Sequence, residues 1–220
     1  RLHMAIKIFF DMDGVLVDFA GGASAALNQV LEAGDVSTKK FRRLVTYDGE
    51  DREPITVEFL EGTTTKKDAG IKRTQWEKRV TDALFSIVGS GGHSYWSTLP
   101  SLPGFQQMLD AADQLVGLSN LYVCTAPVID KTGGCESGKR TWVEFNTLVP
   151  AENVFVTPDK GSIASQFPDD VCILIDDRLK YCQAWEAAGG TAIRHTPPAN
   201  LERVNRTISE LQLIVKSQVI

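Results

Sequence analysis

Short, almost wholly apolar runs alternate along the chain with longer amphipathic stretches. Ala5 to Phe10 (AIKIFF) stops abruptly at Asp11, the pattern of a buried strand reaching its carboxyl end. The pattern recurs: Leu121-Tyr122-Val123-Cys124 gives way to Thr125, Val154-Phe155-Val156 to Thr157, and Val171-Cys172-Ile173-Leu174-Ile175 to Asp176-Asp177. A fifth short strand is expected over Thr191 to Ile193. Between these runs the spacing is helical. Phe105, Met108, Leu109, Ala112 and Val116 share one face of a helix from Gly104 to Val116, and Trp142 and Phe145 share one from Lys139 to Leu148. A third helix covers Leu179 to Ala188 and stops at Gly189-Gly190, and a last one runs from Asn200 with Leu201, Val204, Ile208, Leu211 and Val215 inward. Strands alternating with helices predict an α/β fold, a Rossmann-like core whose parallel sheet is flanked by helices on both faces.

From about Ala20 to Leu99 the alternation breaks, because helical patterns continue without a buried strand. The chain therefore divides into a core of residues 4–19 and 100–220 and a small helical cap, residues 20–99, inserted after the first strand. The best helix of the insert starts at Thr74-Gln75-Trp76-Glu77, a capping box, and carries Trp76, Val80, Leu84 and Ile87 on one face, so Trp76 reads as core. Tyr95 and Trp96 read the same way, whereas the charged, Gly- and Thr-rich segment from Tyr47 to Lys72 reads as a loop. Lys66, Lys67, Lys72 and Arg73 are expected on a solvated loop, with screening of an incoming phosphate as the alternative, and His93 and His195 are expected on the surface.

The chain has 220 residues, 43% of them hydrophobic, a size that buries roughly 70% of the unfolded surface and needs no disulfide or structural metal to fold. Cys124, Cys135, Cys172 and Cys182 form no C-x-x-C pair and are expected as buried, reduced thiols. No apolar run approaches the roughly 18 residues of a membrane span, and the beginning of the chain lacks the apolar core of a signal peptide, so a soluble, cytoplasmic protein with no membrane partner is expected. Arg1-Leu2-His3 ahead of Met4 reads as a cloning remnant. A formal charge of -5 excludes broad nucleic-acid binding, which needs a basic face, so an anionic substrate must be held by a few local cations.

The candidate chemistry lies at the strand ends, where an open parallel sheet binds its ligands. Asp11 and Asp13 follow the first strand, Thr125 the second, Lys160 stands just past the third, and Asp176 with Asp177 follow the fourth. A D-x-D or D-D pair alone reads equally well as a turn or surface carboxylates; four polar elements in order at four strand ends are specific. Several carboxylates forced together repel and call for a cation, and an all-oxygen set without a nearby His or Cys cluster suits Mg²⁺ rather than zinc. Lys160 and Thr125 supply one charge and one hydroxyl, a set suited to a phosphoryl group, and the amides of Met12, Asp13 and Gly14 are further candidate donors.

Asp11-Met12-Asp13-Gly14-Val15, then Thr125, Lys160 and Asp176-Asp177 resemble the four motifs of the haloacid dehalogenase (HAD) superfamily. That resemblance implies that Asp11 attacks phosphorus to form an aspartyl phosphate, and that Asp13 protonates the leaving oxygen and later deprotonates water. It also implies that Asp11, the carbonyl of Asp13 and one aspartate of the Asp176-Asp177 pair hold Mg²⁺. Within the superfamily the chain is most similar to the 5'(3')-deoxyribonucleotidases, through Asp11 to Phe19 (DMDGVLVDF), Leu99 to Gly104, Cys124-Thr125-Ala126-Pro127, Lys139 to Glu144 (KRTWVE), Thr157 to Lys160 and Ile175 to Arg178. The narrower resemblance implies a Mg²⁺-dependent phosphomonoesterase for nucleoside monophosphates, with Asp177 as the metal ligand of the pair and Asp176 in support. It makes Phe19 a base-stacking ring, equally readable as core, and puts Thr125, Ala126, Lys139 and Lys160 around the phosphate. Lys139 reads equally as solvated. Ala126 stands where that family has Ser, and the insert is longer. A phosphatase for another small phosphorylated metabolite, or a non-catalytic protein that only binds a phosphate ligand, is the alternative; the reading leaves room for a homodimer.

Overall fold

The computed structural model describes residues 4–128, 130 and 133–218; the three residues read as a cloning remnant lie outside the described residues. The chain forms two compact units: one comprises the chain up to Asp18, Ser101–Pro127 and the chain from Lys139, the other Phe19–Pro100 and Val128–Gly138. Among the described residues no helix is long and apolar enough to cross a membrane.

The second unit is helical. Its helices are Phe19–Glu32 (α1), Lys39–Val45 (α2), Val57–Asp68 (α3), Gln75–Ser90 (α4) and Gly92–Ser97 (α5). Thr38, Thr56 and Thr74 each cap a helix by accepting an amide hydrogen bond, and Thr74 with Glu77 completes the expected capping box. Ala23, Leu27, Val30, Leu44, Ile55, Leu60, Trp76, Val80 and Ala83 form its core. The segment Tyr47 to Lys72, expected as a loop, contains α3. Its buried positions are Leu60 and Thr63, with Phe59 half-buried against the same cluster, too thin a stripe to register as helical periodicity, and the Thr56 cap sets its start. Of the four cations expected to be solvated, Lys67 and Lys72 are exposed, whereas Lys66 Nζ lies 2.6 Å from the buried carboxylate of Glu77 and Arg73 donates to Thr81.

The other unit contains five parallel strands, Ile6–Phe10 (β1), Leu121–Thr125 (β2), Val154–Val156 (β3), Val171–Asp176 (β4) and Thr191–Arg194 (β5), ordered β3-β2-β1-β4-β5. Phe105–Val116 (α6), Gly134–Asn146 (α7), Lys160–Ala164 (α8), Leu179–Ala187 (α9) and Leu201–Gln218 (α10) complete the elements. The central strand β1 is apolar on both faces because both are covered. Ile8, Phe9 and Phe10 are fully buried, with Phe9 stacked on Tyr122 (centroids 4.6 Å apart) and edge-on to Trp185 (4.8 Å). Burying each such side chain is worth about 1.5–3 kcal/mol. Phe10 stands opposite Val123 on β2 and Ile175 on β4, so Asp11, Thr125 and Asp176 emerge together at the carboxyl edge.

Three expectations change here. The helix expected from Lys139 to Leu148 starts at Gly134, and its buried face is Cys135, Lys139, Trp142 and Val143, a regular i, i+4, i+7, i+8 series. Phe145 and Leu148 lie off that series and are 80% and 77% exposed. The first turn of α7 belongs to the helical unit because two glycines let it approach α5. A Cβ at Gly134 would meet the His93 amide nitrogen at 2.6 Å, one at Gly138 would meet the His93 carbonyl at 2.6 Å, and Ser137 hydrogen-bonds the exposed His93 ring. His195, expected on the surface, is 1% exposed. It follows β5, where its amide donates to the Asp176 carbonyl (2.9 Å) and its Nδ1 pairs with Thr207 on α10 (2.8 Å). The four cysteines are free and buried, and burial pushes the thiols of Cys124 and Cys182 up to about 12.

Candidate active site at the carboxyl ends of the strands

The first element of the site is the turn that follows β1. The Asp11 amide still donates to the Ile175 carbonyl (2.9 Å), extending the ladder by one residue, and the amides of Val15, Leu16 and Val17 then converge on the Met12 carbonyl. Gly14 sits inside this turn at φ +80°, where a side chain is strained, and a Cβ there would lie 2.8 Å from Asp177 Oδ2. The glycine therefore lets the backbone pass against a carboxylate. Its amide, a candidate phosphate donor from the sequence, donates instead to the Val17 carbonyl.

Two buried lysines organise the carboxylates. Lys160, the first residue of α8, is 1% exposed and places Nζ 2.9 Å from Asp11 Oδ1 and 2.5 Å from Asp176 Oδ2. Burial opposes its charge, but Asp11 and Asp176 outweigh that and raise its pKa, so it remains an ammonium. Lys139 is 0% exposed and gives its hydrogens to Asp13 Oδ2 (2.7 Å), Thr125 Oγ1 (2.9 Å) and the Ala126 carbonyl (2.8 Å). Among the described residues the buried Asp13 Oδ1 has no hydrogen-bond partner.

Asp11, Asp176 and Asp177 each offer an oxygen within 4.8 Å of the others. Burial, then repulsion from Asp11, raises the Asp176 carboxyl, and burial with repulsion from Asp11 and Asp176 raises Asp177 well above the usual range. Asp13 is raised too, first by burial and then by Asp11, against the pull of Lys139. Lys160 pairs with Asp11 and Asp176, and the Arg178 charge also pulls on Asp177, yet burial and mutual repulsion prevail for Asp176 and Asp177; the oxygens are hard donors without nitrogen or sulfur among them. That donor set fits a small divalent cation such as Mg²⁺.

Asp11, Asp13, Thr125, Ala126, Lys139, Lys160, Asp176 and Asp177 thus form one constellation. Phe19 belongs to the helical unit, where its ring stacks on buried Trp96 (5.8 Å, 10°) and packs against the apolar cluster. Sequence reasoning missed Tyr181, whose ring centroid lies 4.5 Å from Lys160 Nζ. Its signal was its place in the first turn of α9, four residues after Asp177. Lys139 carried a signal as well, since it stands at i−3 from buried Trp142.

No protein-family model matches the chain. Similar solved structures include a HAD family hydrolase from Deinococcus radiodurans R1 with bound phosphate and sodium (15% identity, 97% of this chain and 96% of that one, TM-score 0.48). Others are a HAD-type hydrolase from Bacillus subtilis bound to magnesium (16%, 96% and 99%, TM-score 0.49) and a HAD family enzyme from Bacteroides thetaiotaomicron with magnesium and inorganic phosphate (13%, 90% and 97%, TM-score 0.42).

Proposed function

We propose that this chain is a Mg²⁺-dependent phosphomonoesterase of the HAD superfamily, working through an aspartyl phosphate, with nucleoside monophosphates as its substrates. The observation that carries the reading is the pairing of the two aspartates with two different buried lysines. Asp11 faces Lys160, while Asp13, two residues on, is tied to Lys139, which also donates to Thr125. Carboxylates placed in different environments suit different roles. Asp11 keeps an oxygen for attack on phosphorus, and Asp13, with its pKa raised, carries a proton to the leaving oxygen.

In the first step Asp11 forms the bond to phosphorus, the ester P–O bond breaks, and the leaving oxygen takes the proton from Asp13. In the second, Asp13 takes a proton from water, the water oxygen bonds to phosphorus, and the bond to Asp11 breaks, which restores both carboxyl groups. Lys160, the Thr125 hydroxyl and the amides of Met12 and Asp13 hold the phosphoryl oxygens. Asp11, the Asp13 carbonyl and Asp177, supported by Asp176, would hold Mg²⁺, whose charge offsets the crowded carboxylates and the phosphoryl group. The nucleotide preference rests on the resemblance to the 5'(3')-deoxyribonucleotidases, with Phe19 as the ring that stacks on the base.

Release of phosphate from 4-nitrophenyl phosphate in the presence of Mg²⁺ tests the class. Asp11→Asn keeps the shape and removes the nucleophile, so turnover falls by several orders of magnitude with folding retained; wild-type turnover in that variant sinks the reading. The nucleotide preference is tested by a ratio. In Phe19→Ala, kcat/KM for a nucleoside monophosphate falls about 5- to 150-fold relative to that for 4-nitrophenyl phosphate, the usual worth of a stacked base. Parallel losses on both substrates make Phe19 a packing residue only.

A further inference from the structure

A fully buried lysine needs a reason, since taking an ammonium out of water costs several kcal/mol unless its hydrogens are all satisfied. Lys139 meets that condition completely. An ammonium has three donors and no acceptor, and the three are placed on Asp13 Oδ2, Thr125 Oγ1 and the Ala126 carbonyl at 2.7–2.9 Å. No hydrogen remains for a phosphoryl oxygen unless one of these bonds breaks. The partners are unequal in kind. Ala126 offers a backbone carbonyl just past the end of β2, a fixed anchor, whereas Asp13 and Thr125 accept through side chains whose rotamers the bond to Nζ selects.

The consequences for those two side chains are specific. Thr125 Oγ1 accepts from Lys139, so its own hydrogen is directed away from the lysine and is available to a ligand. Asp13 Oδ2 is engaged by Lys139, which leaves Oδ1, buried and without a partner, as the oxygen free to exchange a proton. We propose that Lys139 is a positioning residue that locks the Asp13 carboxylate and the Thr125 hydroxyl into one mutual orientation and does not itself bind the phosphoryl group. The inference rests on the phosphatase reading for its kinetic meaning, but its structural content is independent of it.

The test compares two leaving groups. In Lys139→Met, Asp13 loses its alignment with the leaving oxygen. An alkyl phosphate such as glycerol 2-phosphate depends on that proton, while 4-nitrophenolate departs with little help. kcat/KM for the alkyl ester therefore falls at least about 10-fold more than for the aryl ester, within the usual 100- to 10,000-fold worth of a general acid. The inhibition constant of inorganic phosphate rises no more than it does in Thr125→Val, because Lys139 reaches the phosphoryl group only through the Thr125 hydroxyl. Equal losses on the two esters, or a phosphate constant weakened beyond that of Thr125→Val, overturn the inference. Lys139→Gln, which keeps two hydrogens on a nitrogen one bond nearer the backbone, recovers part of the alkyl activity and serves in the same assay if the Met variant does not fold. A crystal structure of either variant supplies a readout besides activity: Asp13 and Thr125 turn from their wild-type rotamers. Unmoved side chains overturn the inference even if the wild type is an active phosphatase. An inactive wild type overturns the phosphatase reading while the rotamers still decide the role of Lys139.

Discussion

In the helical unit, polar side chains near the core close local turns. Thr38, Thr56 and Thr74 bond amides three residues away, and Glu77 reaches back to the Thr74 amide (2.7 Å) and across to Lys66. In the sheet unit they bond over long distances: Lys139 meets Asp13 across 126 positions of sequence, and Lys160 is held between Asp11 and Asp176. Local caps contribute about 0.5–2 kcal/mol each, whereas buried charges in a crowded set often contribute nothing net or cost stability. One unit places its polar groups in local caps; the other crowds buried charges at the carboxyl edge of its sheet.

The largest effect that distinguishes them falls on apolar packing in the helical unit. Trp76 is fully buried, stacks on Tyr47 (5.5 Å, 13°), lies under Arg52 and donates Nε1 to the Glu53 carbonyl (2.8 Å). Trp76→Ala is expected to cost about 3–5 kcal/mol by denaturant unfolding. A loss below about 1 kcal/mol would mean that the apolar cluster does not hold this unit together.

A buried histidine gives the sheet unit a pH signature. Burial, with the Arg203 charge adding, lowers the pKa of His195 from 6.5 to about 4. Between those values the unfolded chain binds a proton that the folded chain refuses, so the contribution is intact above pH 6.5 and is lost as pH falls toward 4. The loss over that window amounts to about 3 kcal/mol. The raised carboxyls of Asp13, Asp176 and Asp177 act in the opposite sense, because the folded state takes up their protons first. The informative measurement is therefore the difference between wild type and His195→Gln at pH 7.5 and at pH 4.5. The gap narrows or inverts on acidification; a constant gap removes His195 from the pH dependence.

His195 also marks where reading the sequence stops. The strand ends were legible because parallel strands covered on both faces leave uninterrupted apolar runs, and the first polar residue after each run, Asp11 or Asp176, names the sheet edge. The capping box at Thr74 was legible because all its parts lie within four residues. What His195 and Lys139 touch was not, since Thr207 and Asp13 reach them through tertiary folding. The face of α7 was misjudged for a related reason: a Trp and a Phe three apart suggested a stripe, while the buried series runs through a lysine. The association of residues 128–138 with the helical unit depends on Gly134 and Gly138 meeting α5, a contact without local signal.

The smallest effect is the one whose sign separates the two units. With a chelator present, Asp177→Asn removes one of three crowded carboxylates whose burial and mutual repulsion outweigh the pull of Arg178 and Lys160, so the variant is expected to melt higher than wild type. A gain near 1 kcal/mol corresponds to about 2–4 °C for a chain of this size. Glu77→Gln is the matched change in the helical unit. Its carboxylate is buried and, despite the cost of burial, held below its ordinary pKa by Lys66 and the Thr74 amide, so neutralising it is expected to lower the melting temperature by a similar amount. Adding Mg²⁺ then raises the melting temperature of wild type more than that of Asp177→Asn, since a ligand of the folded state stabilises in proportion to its affinity, and leaves the Glu77→Gln deficit unchanged. If both substitutions lower the melting temperature in chelator, the carboxylates at the sheet edge are structural like those of the helices, and the contrast between the units fails.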